Sequence, residues 1–251
     1  MEENNKNHEY GSDIKIKSPL VTKLENFWYH YKWHTIAALF IIVCVVVCSV
    51  QACSRVNIDI HIMYAGNREI SRTSADGDTP AYTRLKNALS AYTADYDGDG
   101  LTTLTLTTYF SLSPAEITEI ENNPGLEVNH TLLAEDAEAM RTRFSIGEYY
   151  LCFMSPYVYG EYRETSDGVM MFAPIEKYAP EENELEYYDT YAVKLSSTKL
   201  YKNSPEVREI LPEDTLIAIR INSAMASVFG GAENAENYAH AEDMLRKILG
   251  E

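Results

Sequence analysis

Between Ile36 and Val50 the chain reads IAALFIIVCVVVCSV, fifteen residues without a charge, broken only by the hydroxyl of Ser49. A segment apolar all round has two homes, the centre of a folded core or a lipid bilayer. Adding Trp33, His34, Thr35, Gln51 and Ala52 gives twenty residues, about 30 Å of helix, which matches the hydrocarbon thickness of a membrane. Trp28, Tyr29, Tyr31 and Trp33 crowd the N-terminal flank, where indole and phenol rings favour the headgroup layer. Lys15, Lys17, Lys23 and Lys32 lie on that side, and only Arg55 follows closely on the other. One-sided lysines place the N-terminus in the cytoplasm and the remainder outside. The expected division is a cytoplasmic tail over 1–32, a transmembrane signal anchor over 33–52 and an extracytoplasmic domain over 55–251. Two alternatives use the same residues: a cleavable signal peptide with Val50-Gln51-Ala52 as its small-residue site, and a lipoprotein attached through Cys53.

The net charge of −17 falls beyond the span, because residues 1–34 hold five lysines and five acidic groups. Such a domain repels the phosphate backbone, which excludes nucleic acid as a partner. It also disfavours lying flat on an anionic membrane. Cations, basic proteins and neutral small molecules remain. The four cysteines make no disulfide framework: Cys44 and Cys48 share a helix face in the span, Cys53 sits at its edge, and Cys152 is alone in the exposed part.

Periodicity predicts alternating strands and helices. Val56, Ile58, Ile60 and Ile62 alternate, as in a strand with one buried side that stops at Tyr64-Ala65-Gly66. Thr79-Pro80 reads as a helix start, with Tyr82, Leu85, Leu89 and Tyr92 on one face. LTTLTLTTYF is a strand, and Ser113-Pro-Ala-Glu116 has capping-box spacing ahead of Ile117 and Ile120. A short strand is expected over Leu126–Thr131, then a helix bearing Leu133, Ala137, Met140 and Phe144. Further strands are expected over Tyr149–Met154, Gly168–Pro174, Tyr191–Leu195 and Thr215–Ile221, a short helix over Pro156–Glu164, an acidic irregular loop over 176–189, and a closing helix with Tyr238, Ala241, Leu245 and Ile248 inward. The alternation favours a layered α/β fold.

The sharpest chemical signal is Asp95-Tyr-Asp97-Gly-Asp99-Gly100-Leu-Thr-Thr103. Oxygen donors at positions 1, 3 and 5 with glycine at 6 reproduce the first half of an EF-hand calcium loop. The expected ligands are Asp95, Asp97, Asp99, the backbone carbonyl of Leu101, and Thr103, with Ca2+ as the candidate ion. Position 12, normally a bidentate Glu, is Leu106, so a distant carboxylate must complete the shell. The plainer reading is an Asp/Gly turn between helix and strand. Signatures of catalysis do not emerge. His30 and His34 are spaced i, i+4, but Tyr31 stands where H-E-x-x-H needs its Glu. His130 and Asp136 have no nucleophile in a recognisable elbow, and the run Pro180–Asp189 reads as a solvated loop.

Ile58-Asp-Ile-His-Ile-Met-Tyr-Ala-Gly66, the DYDGDG turn before a strand, and SIGEYYLCFMSPYVYGEY (Ser145–Tyr162) together carry a family resemblance. With the aromatic stretch before one span, the chain resembles membrane-anchored extracellular solute-binding-like proteins of Gram-positive gut anaerobes, whose exposed part has a type 2 periplasmic-binding-protein-like fold. Gly168–Ile175 is similar to the "Gly…Pro-Leu" stretch that follows in that family. The resemblance implies a reduced α/β ectodomain, since residues 55–251 are short for two full lobes. It implies a non-catalytic domain that captures a small molecule. The alternative is a protein-interaction or assembly factor beside a membrane complex. A cleft would be lined by strand C-terminal ends, which nominates Tyr64, Ser155 and Tyr157. The many tyrosines, 19 in all, offer flat faces with a hydroxyl, although strand and helix packing uses the same residues.

Overall fold

The computed structural model describes residues 19–53, 58–70, 73–74, 77–147, 149–222 and 224–251. The tail over 1–18, the start of the first expected strand at 55–57, and the acidic residue Glu148 of the Gly–acidic–strand pattern lie outside the described residues. So does the side chain of Cys53, on which the lipoprotein reading rests. The chain forms two compact units, divided at 56/57.

The first unit is helix α1 (Pro19–Cys53). Within it the 24 residues Phe27–Val50 form a segment long and apolar enough to cross a membrane, none of it buried. Helix therefore begins well before the apolar run. Phe27 stacks on Tyr31 with centroids 5.3 Å apart, and Tyr31 meets His34 edge-on. These i, i+4 and i, i+3 neighbours make one aromatic face.

The second unit runs β1 (Ile60–Gly66), the small hairpin β2 (Thr73–Ser74) and β3 (Gly77–Asp78), α2 (Pro80–Ser90), β4 (Leu104–Phe110), α3 (Pro114–Glu121), α4 (His130–Ile146), β5 (Leu151–Met154), α5 (Pro156–Tyr162), β6 (Ala192–Lys194), α6 (Lys199–Asn203), α7 (Pro205–Ile210), β7 (Leu216–Ile219) and α8 (Ala224–Leu249). Five strands form one mixed sheet in the order β4-β1-β5-β7-β6. β1 pairs parallel with β4, from Ile60↔Leu104 to Gly66↔Phe110, and parallel with β5, from Ile62↔Leu151 to Ala65↔Met154. β7 runs antiparallel to both β5 and β6.

Local chemistry sets the helix starts. Thr79, Ser113, Asn129 and Ser155 each accept the N–H three residues on, and Ser113 and Glu116 close a reciprocal capping box. Gly147, left-handed at φ 87°, ends α4.

β1 differs from the one-sided strand that its alternation suggests. All but His61 of its residues are buried. Ile60, Ile62 and Tyr64 join one core with Tyr82, Leu85, Leu89, Leu200, Val207, Met244, Leu245 and Ile248. Met63 and Ala65 join another with Met140, Phe144, Val158, Tyr159 and Phe172. A central parallel strand is covered on both faces by the crossover helices. Cys152, in the second core, is an inert apolar filler: burial pushes its thiol up to about 12, against the opposing charge of Arg220. Arg220, itself 4% exposed, lies 5.0 Å over the Phe144 ring.

Two expected strands are absent. Leu126–Asn129 runs without strand partners, and the expected last two residues, His130 and Thr131, already belong to α4. Gly168–Pro174 makes only single bridges, Glu164↔Met170 and Phe172↔Arg220, so no ladder propagates. On α4, Met140 and Phe144 are buried, Leu133 is half-buried and Ala137 exposed.

Gly66 marks a tight approach. A Cβ there would lie 2.8 Å from Tyr64 Oη, 3.1 Å from Tyr64 Cζ and 3.5 Å from Ser155 Cβ. Tyr64 is 1% exposed and has nowhere to move. Gly66→Ala is expected to cost about 1–3 kcal/mol in urea melts. Adding Tyr64→Phe, which removes the nearest atom, should return part of that loss. An unchanged midpoint for Gly66→Ala would show that the ring yields freely.

Candidate functional site

The Asp/Gly turn leads into β4 and is folded around its own carboxylates. Asp95 Oδ1 accepts the Gly98 N–H at 2.7 Å and its Oδ2 the Gly100 N–H at 2.9 Å. Asp97 accepts from Asp99 N–H, and Asp99 from Leu101 N–H. Gly98 and Gly100 have φ of 75° and 84°, a backbone that side chains with a Cβ rarely adopt.

Asp59, 3% exposed, pins this loop from the base of β1. Its Oδ1 accepts from Tyr96 N–H at 2.8 Å and Asp97 N–H at 3.3 Å, and its Oδ2 from Thr103 N–H at 2.7 Å and Thr103 Oγ1 at 3.1 Å. Its own N–H donates to the Thr103 carbonyl at 3.1 Å. Burial alone would raise the Asp59 carboxyl, but the bonds from Thr103, Tyr96 and Asp97 outweigh it and hold the group below the usual carboxylate value. The loop is also fastened to α8. The Tyr96 ring stacks on His240 at 4.0 Å and 6°, and its hydroxyl donates to Asp243. His240 Nδ1–H donates to the Asp59 carbonyl at 3.0 Å.

One carboxylate oxygen from each of Asp59, Asp95 and Asp97 lies within 4.8 Å of the others. Three hard oxygens this close suit calcium, magnesium or manganese rather than zinc. Of the residues the sequence nominates, the fold gathers Asp95 and Asp97. Asp99 lies outside the trio, Leu101 donates its N–H to Asp99, and Thr103 donates to Asp59. Position 12 of the loop is Leu106, and Asp59, from outside the loop, is the third carboxylate of the trio. Its sequence signal was slight, a lone Asp just ahead of an apolar strand, because the β1–β4 register that sets it beside Thr103 is long-range.

The expected ligand residues sit at the C-terminal ends of β1 and β5. These strands flank the point where chain order reverses, β4 on one side of β1 and β5 on the other, which is where open α/β sheets form a crevice. Ser155 N–H donates to Ala65 O at 2.8 Å and draws the two ends together, while Ser155 Oγ caps α5. Tyr64 lies beside them with its ring inward. Its hydroxyl accepts the Arg68 N–H, and burial raises it well above an ordinary tyrosine. Tyr157 is 37% exposed. Nearby, Asn67 Nδ2 donates to Glu116 Oε1 at 2.6 Å.

Most of the tyrosine cluster packs. Tyr149, Tyr150 and Tyr159 are buried, and Tyr159 Oη bonds both oxygens of Asp189, which also accepts the Tyr191 and Ala192 N–H groups. His130 pairs with Glu121 at 3.0 Å, while Asp136 accepts the Phe110 N–H at 2.6 Å. Open volume lies elsewhere. A groove of about 540 Å³ runs between the 180–185 loop, α6 and the end of α8, within the size range of small-molecule sites. The acidic run over 180–185 reads from sequence only as a solvated loop, because the groove it lines is built from three separate segments.

No protein-family model, curated protein or solved structure matches this chain.

Replacing Asp59 by Asn keeps one acceptor oxygen but sets an NH2 against backbone N–H donors. The expected loss at pH 7 is about 2–4 kcal/mol. The folded-state pKa of Asp59 is depressed, so its contribution is complete above the unfolded value of about 3.9 and fades as pH falls through the lower folded value. Denaturation from pH 7 to pH 2 should show the wild-type advantage shrinking only below about pH 4. A gap unchanged down to pH 2 would mean that the carboxylate charge is not what holds the loop.

Proposed function

We propose that this chain is a single-span membrane protein that holds a non-catalytic binding domain, resembling solute-binding proteins, on the outer face of the cell membrane. The observation that carries this reading is the apolar helix Phe27–Val50, none of whose residues is buried by protein. The uncharged run Ile36–Val50, within a span of about 30 Å over 33–52, suits lipid around it. Lys23 and Lys32, with the Trp and Tyr flank, support a cytoplasmic N-terminus. The second unit has its own two-sided core, as a displayed domain requires, and the groove gives it an open polar surface. Protease added to intact cells should remove the domain and leave α1 in the membrane; protection of the domain would reverse the topology, and release of the whole chain by carbonate would remove the span.

Within this reading, Asp59, Asp95 and Asp97 take a calcium ion as a loop clamp. The affinity expected of an extracellular site is about 0.1–1 mM, so 10 mM calcium adds about 1.4–2.7 kcal/mol of stability. A melting temperature that rises with calcium and not with magnesium, and that stops rising in Asp97→Asn, is the expected result. Equal melting with and without calcium sinks the ion.

A docking role is favoured by α4, where Ile146 is 68% exposed and only Met140 and Phe144 of seventeen residues are buried. A silent solute screen on the full chain together with a co-purifying membrane protein would select that role over solute capture.

A further inference from the structure

The open groove carries a more specific ligand chemistry than the reading above, on which this step rests. One wall is α6, where Lys199 and Lys202 stand three residues apart and so share a helix face. The facing wall is the 180–185 loop, which brings Glu182 and Glu184. Leu185 and Leu249 add apolar surface. The loop is held by its own bonds: Asn183 Nδ2 donates to the Pro180 carbonyl at 2.8 Å, Asn183 Oδ1 accepts the Leu185 N–H, and the Glu186 N–H reaches Ser197 Oγ at 2.9 Å. The glutamate side chains are not used in that bracing. Lys202 and Glu184 approach to 3.6 Å, with side chains 52% and 93% exposed. Such a pair contributes little, so a ligand bringing its own two charges can replace it.

The groove is thus balanced, two cations facing two anions, in a chain of net charge −17. The glutamates oppose a phosphate or a simple dicarboxylate. No aromatic ring lines the groove, so it lacks the stacking platform that sugars use. A ligand with a carboxylate at one end, an ammonium at the other and an apolar side chain between them matches both walls and the apolar surface. At about 540 Å³ the space exceeds what one amino acid fills. We propose that the groove between the 180–185 loop, α6 and the end of α8 binds a short peptide of two or three residues with free termini, its carboxylate on Lys199 and Lys202 and its ammonium on Glu182 and Glu184.

The test is calorimetric titration of the full chain in detergent with the tripeptide Ala-Leu-Ala, and with the same peptide acetylated and amidated. The free peptide should bind, and blocking both ends should weaken it at least about tenfold, the scale of a lost charge-assisted contact. Lys199→Gln with Lys202→Gln should weaken the free peptide by a similar factor with an unchanged melting temperature, since both side chains are exposed. Equal binding of the blocked peptide, full binding by the double variant, or no binding at millimolar peptide overturns the inference. If a sugar binds while the tripeptide is silent, this site is refuted and the solute-capture reading stands; if every solute is silent and a membrane protein co-purifies, both fall.

Discussion

A single carboxylate, that of Asp59, holds together three parts of the domain that are far apart in sequence. It accepts four hydrogen bonds from the loop between α2 and β4, and its backbone carbonyl receives His240 of α8. A loop of this composition has little apolar surface to hold it. Its backbone N–H groups must find acceptors or water, and the buried carboxylate supplies them at the base of the sheet. With the loop fixed, Tyr96 can stack on His240 and reach Asp243, which fastens α8 across the face that buries Met244, Leu245 and Ile248. Asp59 therefore does for the start of β1 and β4 what an extra strand pair would do, and the Asp59↔Thr103 contact continues the register set by Ile60↔Leu104.

The same device recurs where the chain must turn. Glu116 accepts the Ser113 N–H and hydroxyl and the Asn67 amide, and these bonds overcome its burial to lower its pKa. Asp189 gathers Tyr159, Tyr191 and Ala192. Asp136 takes the Phe110 N–H at the end of β4, but there burial wins and the carboxyl is raised. The acidic composition thus has a structural use in part. Bonds to the charged form are among the stronger hydrogen bonds, and each offsets some of the self-repulsion of a chain at −17.

What the sequence made legible was local. Thr79, Ser113 and Ser155 start helices in the structure because capping depends on residues three apart. The apolar helix was legible because length and composition are local properties of the sequence. The alternation of strands and helices gave the mixed α/β class, and the single five-stranded sheet realises it. Burial of β1 on both faces was not legible, since Ile58, Ile60 and Ile62 alternate with polar Asp59 and His61 and only the later Met63-Tyr64-Ala65 run betrays a second covered face. Asp59 as a partner of the Asp/Gly turn, and the groove assembled from three segments, depend on long-range register and packing that no local pattern encodes.

The contrast between the crevice at the strand ends and the groove follows from Tyr64. Open α/β sheets place ligands where strand order reverses, because the crossover helices diverge there and leave room. In this chain the Tyr64 ring is folded against Gly66 beside Ser155, and Gly66 lacks the Cβ that would push it out. The hydroxyl is satisfied by Arg68, so the ring gains nothing by leaving. A Cβ at 66 would meet the inward ring of Tyr64 at 2.8 Å, so the glycine lets the ring pack there. At the other side of the sheet the edge strand β6 is only three residues long. The segment before it doubles back, with Lys194 N–H on Glu186 O and Tyr188 N–H on Ala192 O, and covers the strand edge that would otherwise invite pairing. That return brings the 180–185 loop beside α6, with Glu184 3.6 Å from Lys202. Two features thus finish the sheet differently: the Tyr64 ring packs inward beside Gly66 at the end of β1, and a folded-back acidic segment borders a charged groove beyond the β6 edge.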